Sequence, residues 1–154
     1  LIPAHLNLAD LLRASGRDAA AREQLERART SAPESAEVLY ALGLSAIRAG
    51  NSERALALLA AAAERESGGT RHRYVHAVAL HDLGDPRAAV RALRSLNREA
   101  PGNPEVLLAL ANYSAGLGMV EAAAGYAREL AAMDPGNADW RRLAQRFGTL
   151  AEGR

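Results

Sequence analysis

The 154-residue chain contains no cysteine and no lysine, and carries one phenylalanine, one tryptophan and four tyrosines. Without cysteine there is no disulfide framework, no thiolate metal site and no cysteine nucleophile. The same absence leaves the compartment open, because a cysteine-free chain suits either redox setting. The alternatives are the cytoplasm or, if a signal peptide precedes Leu1, the periplasm. The scarcity of aromatics excludes a core built on large rings. All 19 basic residues are arginine, a pattern read mainly as the coding bias of a GC-rich genome. The functional alternative is a set of forked donors for carboxylates or phosphates. The formal net charge is only +1, which argues against a nucleic-acid binder. The longest apolar run, which holds residues 56–63 and begins at Ala55, is too short and too alanine-rich to span a bilayer, so no direct membrane insertion is expected.

What is abundant is alanine. It has the best intrinsic helix propensity and lets helices approach closely. Gly16, Gly50, Gly84 and Gly118 recur every 34 residues. Pro33, Pro101 and Pro135 keep the same phase, with Ser67 where the remaining proline would fall. Ala21, Ala55, Ala89 and Ala123 share the beat, as do Leu25, Leu59, Leu93 and Ala127, and Ala28, Ala62, Leu96 and Leu130. Earlier in each unit stand Leu8, Leu42, His76 and Leu110, each followed by Ala9, Gly43, Ala77 or Ala111. A period of this length signals stacked supersecondary units. Each unit reads as helix A, a turn and helix B. The glycine is the turn, because a chain leaving a helix favours φ > 0 there. The proline closes helix B. Asp85 followed by Pro86 reads as an N-cap with proline at the first helical position. The small residue of helix A is expected to face the periodic alanine of helix B at a close crossing.

These positions resemble the tetratricopeptide repeat, with residues 36–67 the closest match and residues 2–137 covered. The aromatic of early helix A is missing; His5, Leu39, Arg73 and Leu107 stand there. The resemblance implies an all-α fold, a right-handed α-solenoid of four helix-turn-helix repeats (about 2–35, 36–69, 70–103 and 104–137). Residues 138–150 read as a capping helix. Trp140, Leu143, Ala144, Phe147 and Leu150 form one apolar stripe there, with Arg141, Arg142, Gln145 and Arg146 opposite. The first repeat has no such cap. The chain is read as a fragment or processed form, with more of the array or another domain expected upstream.

Candidate chemistry is thin. His72 and His76 lie four apart, but no HExxH spacing accompanies them and His81 falls off that face, so no metal and no cofactor is expected. No nucleophile elbow or phosphate loop occurs. Ser67 to Thr70 reads as a soft inter-repeat joint, and Glu64 and Glu66 as a solvated helix end. No catalytic residue is assigned.

The resemblance implies a concave face lined by helix A positions. Its residues are Leu6, Asp10 and Arg13; Glu37, Tyr40, Leu44, Ile47 and Arg48; Arg71, Tyr74, Val78, His81 and Asp82; Glu105, Leu108 and Asn112; with Arg142 and Arg146 from the closing helix. Apolar residues gathered on one face mark interaction sites, and tyrosine is a frequent interface anchor. The expected function is a scaffold that binds a partner peptide or protein segment in this groove. Leu6 and Asp10 stand where some family members place a clamp for a chaperone C-terminal carboxylate, so that mode is not expected. The alternative is a structural or assembly role, by homodimerisation through the uncapped first repeat or docking to an upstream domain. A further variant makes the array the tail of a cell-envelope multihaem cytochrome-type protein, which residues 74–85 resemble.

Overall fold

A computed structural model describes residues 1–65 and 69–153. Among these it has nine α-helices and no strand. Two compact units divide after His76, within the fifth helix. Ser67, Gly68 and Glu66 lie outside the described residues, as does most of the expected soft joint.

The first unit contains α1 (Ile2–Ala14), α2 (Asp18–Ser31), α3 (Ala36–Arg48), α4 (Ser52–Ala63) and the start of α5 (Gly69–Asp82). Neighbouring helices pack as α1 on α2, α2 on α3 and α3 on α4. The periodic residues make the core: Ala28, Leu42, Ala55, Leu59 and Ala62 are all nearly or wholly sealed. A Cβ on Gly43 would sit 2.7 Å from Cγ of Leu59. The crossing of α3 and α4 is close, and the atoms nearest to that point belong to Leu59, one turn beyond Ala55. His5, where the family carries an aromatic, instead pairs its Nδ1 with Gln24 Oε1 at 3.1 Å.

The second unit contains the rest of α5, then α6 (Pro86–Glu99), α7 (Pro104–Gly116), α8 (Val120–Met133) and α9 (Ala138–Glu152). Helix α6 packs on α7, α7 on α8 and α8 on α9. Leu93, Leu107, Leu110 and Leu130 are fully buried. Alanine at position 127, where the other units have leucine, leaves a shallow wall. Phe147 of α9 fills it, 2% exposed among Ala111, Ala123, Ala124 and Ala127. The expected α9 stripe is corrected at its end: Leu150 is 51% exposed, and Ala151 packs against the cluster instead. The helix runs on to Glu152, so its last turn presents a different side.

The helix ends follow from local chemistry. Gly16, Gly50, Gly84 and Gly118 have φ of 74°, 73°, 107° and 73°, a region that Cβ-bearing residues avoid. Each allows the next amide to reach back five residues: Arg17 to Leu12 O, Asn51 to Ala46 O, Asp85 to Leu80 O and Met119 to Ser114 O, at 2.8–2.9 Å. This is the Schellman closure, which satisfies carbonyls left over at a helix end. Asp85 caps α6 by accepting the Ala88 amide at 2.8 Å, with Pro86 first in the helix. Asn51, Asn103 and Asn137 cap α4, α7 and α9 in the same way.

Candidate functional site

In the first unit, α1 turns Leu6, Asp10 and Arg13 onto one side, as spacings of three and four require. Helix α3 does the same with Tyr40, Leu44 and Arg48. These six residues converge on one cavity of about 160 Å³, floored by Ala9, Ala21, Leu25 and Ala41. The floor is apolar and the rim is charged. Arg13 sits 3.7 Å from Asp10, an exposed pair of the kind that contributes little to stability. Arg48 is exposed and forms no ion pair among the described residues.

Beside the cavity Tyr40 stacks on His72, ring centroids 4.5 Å apart and planes 20° apart. The Arg71 guanidinium lies over the Tyr40 ring at 6.0 Å. Tyr40 is half-buried, with one ring face engaged by this stack. His72 is 7% exposed and its buried Nδ1 has no hydrogen-bond partner among the described residues. Burial pushes its imidazole below the usual value; Arg71 adds to that and Glu37 opposes it. His76 is also pushed down by burial, with Glu64 opposing. The Glu37 carboxyl is held below the ordinary carboxylate range by its backbone hydrogen bond, then by the Ser35 hydroxyl, which donates to it at 3.0 Å. Ile47, 37% exposed, does not line the cavity. Tyr74 is half-buried.

In the second unit Val78 and His81 are half-buried, while Asp82, Glu105, Leu108 and Asn112 are exposed. His81 stacks on Tyr113 with centroids 3.7 Å apart and bonds Asp82 at 2.9 Å. Arg142 and Arg146 line a shallow hollow on α9 with Gln145, Thr149 and Leu150. No α7 residue lines that hollow, and Arg142 is paired with Asp139. None of the groove residues named from sequence is buried.

Two contributors escaped the sequence reading. His72 holds the register of Val38 and Val106, both fully buried; that phase was the available signal of its burial. Tyr113 lies one residue past Asn112, outside the helix A positions that the family resemblance places on the concave face.

Two family models, each described as tetratricopeptide repeat, match residues 6–70 and 80–147. No curated protein matches the sequence. Among solved structures the chain is similar to MamA from Desulfovibrio magneticus RS-1, at 14% identity and a TM-score of 0.79, covering 98% of this chain and 85% of that one. It is similar to MamA AMB-1 at 25% identity and 0.73, covering 90% and 75%. It also resembles YrrB, a TPR protein with an unusual peptide-binding site, at 20% identity and 0.74, covering 97% and 77%. Period, turn geometry and these matches agree: the chain belongs to the tetratricopeptide repeat family, whose fold is that of a protein-interaction module and whose members are generally non-enzymatic scaffolds.

Proposed function

We propose that the chain captures a segment of a partner protein on the helix A face that carries Tyr40. The observation behind this is the convergence of Leu6, Asp10, Arg13, Tyr40, Leu44 and Arg48 on one cavity. An apolar floor takes an apolar side chain, and a guanidinium at the mouth fixes its orientation by pairing with a neighbouring carboxylate. Tyr74, Ile47 and Arg71 extend this face in the first unit; Val78, His81, Leu108 and Asn112 are its counterparts in the second. The peptide-binding site named for YrrB lends the reading support on the same fold. The test is affinity capture with the wild-type chain and with Tyr40→Ala/Tyr74→Ala, followed by mass spectrometry and far-UV circular dichroism. The variant keeps its helicity and loses the captured proteins. Equal capture by both overturns the assignment.

A second reading, assembly through α1, is favoured by Leu8 and Leu11, which are 42% and 69% exposed. Leu42 and Leu110, in the register of Leu8, are 2% and 0% exposed. A leucine face left uncovered is a ready contact for another helix. Sedimentation that gives a concentration-dependent dimer, abolished by Leu11→Asp, favours this reading; a monomer at all concentrations removes the homodimer.

A further inference from the structure

Helix α6 carries Arg87, Arg91, Arg94 and Arg98. Their spacing of four, three and four residues keeps them within about 60° of one another around the helix and spreads them over about 16 Å. The opposite side of α6 is the buried one, formed by Ala89, Val90, Leu93 and Leu96. Arg87, Arg91 and Arg98 are exposed and Arg94 is half-buried. None of the four has an ion pair among the described residues, and the buried Nε of Arg94 has no hydrogen-bond partner. Of the carboxylates at the two ends of α6 in sequence, Asp85 accepts the Ala88 amide and Glu99 accepts from Ser95.

Five arginines elsewhere are treated differently. Arg13, Arg27, Arg54, Arg65 and Arg142 each face a carboxylate. Nor is it a general property of helix B. In the same register α2 has Ala19, Glu23, Glu26 and Thr30; α4 has Glu53, Ala57 and Ala60, with Glu64 at its C-cap. Helix α8 has Glu121, Gly125, Arg128 and Ala132. Like charges three and four residues apart disfavour a helix, and a cation in its first turn opposes the helix dipole. Helix α6 accepts both costs.

We propose that this stripe is a second docking site, separate from the Tyr40 face, for an acidic segment of a partner protein. Four forked donors in a row match carboxylates presented at helical spacing. A nucleic-acid duplex or an anionic bilayer meets a protein over a broad face, and a chain of net charge +1 offers no wide basic field for one.

The probe is a labelled alanine-based helical peptide with glutamates at i, i+4, i+7 and i+11, beside its glutamine counterpart, read by fluorescence anisotropy. At low salt the glutamate peptide binds wild type about tenfold or more tighter than the glutamine peptide, and the advantage shrinks as salt rises. Arg87→Gln/Arg91→Gln/Arg94→Gln/Arg98→Gln removes it. The exposed pair Arg87→Gln/Arg91→Gln reduces it and guards against misfolding of the fourfold variant. Tyr40→Ala/Tyr74→Ala leaves it intact, which separates this site from the proposed groove. Unchanged binding by both glutamine variants overturns the proposal. So does tighter binding of a short DNA duplex or of phosphatidylserine vesicles at the same ionic strength.

Discussion

Helices α1 and α9 sit at the two ends of the chain and treat their outward faces in opposite ways. On α9 the outer positions are mainly polar, Arg142, Gln145, Arg146 and Thr149, while Phe147 is driven into the second unit. On α1 the outer positions include Leu8 and Leu11, and Ala4 is also exposed. The equivalents of Ala4 and Leu8 in α3, Val38 and Leu42, are buried, and α2 packs on α3. The equivalents in α7, Val106 and Leu110, are buried as well, and α6 packs on α7. The same sequence phase therefore has a different fate at the first helix. A repeat position is a core position only when a neighbouring helix B covers it.

Truncation of the apolar residues sharpens this contrast. Phe147→Ala removes the large side chain buried among Ala111, Ala123, Ala124 and Ala127, which are too small to close the hollow it leaves. We expect a loss of about 3–5 kcal/mol in urea denaturation. Leu42→Ala, at a sealed position, costs about 2–5 kcal/mol. Leu8→Ala, in the same register on α1, costs about 1 kcal/mol or less, since much of its surface already faces water. Equal losses at Leu42 and Leu8 would break the comparison between the ends.

A smaller effect separates His72 from its register mates Val38 and Val106. Its folded-state pKa lies below the ordinary 6.5. Below pH 6.5 the unfolded chain takes up a proton that the folded chain resists, so stability is fully present above that value. It declines as the pH falls from 6.5 towards the folded-state pKa. His76, shifted in the same direction, adds to the slope. Thermal melts between pH 7.5 and pH 5 should show this decline, and His72→Val should flatten part of it. An unchanged profile in that variant would remove His72 as a source.

Much of the architecture was legible because its causes are local. Glycine at the four 34-residue positions answers a need for positive φ, and Asp85-Pro86 is a complete helix start. The core leucines and alanines follow from helical periodicity, which places residues on faces. Legibility fell where a third element decides the outcome. The close approach of Leu59 to Gly43 depends on how far α4 slides along α3. The exposure of Leu150 depends on how far α9 runs before it leaves the wall of α8. The stacks of His72 on Tyr40 and of His81 on Tyr113 require side-chain rotamers and helix separations that no spacing rule contains.

The sequence by itself determined the helices, their turns and the phase of their apolar faces, since backbone conformational preference and side-chain spacing act within a few residues. Only the tertiary structure decided which of those faces are sealed, which residues share the cavity between α1, α2 and α3, and which arginines have a carboxylate within reach. Burial and pairing depend on atoms far away in the chain, and their distances are set when the helices pack.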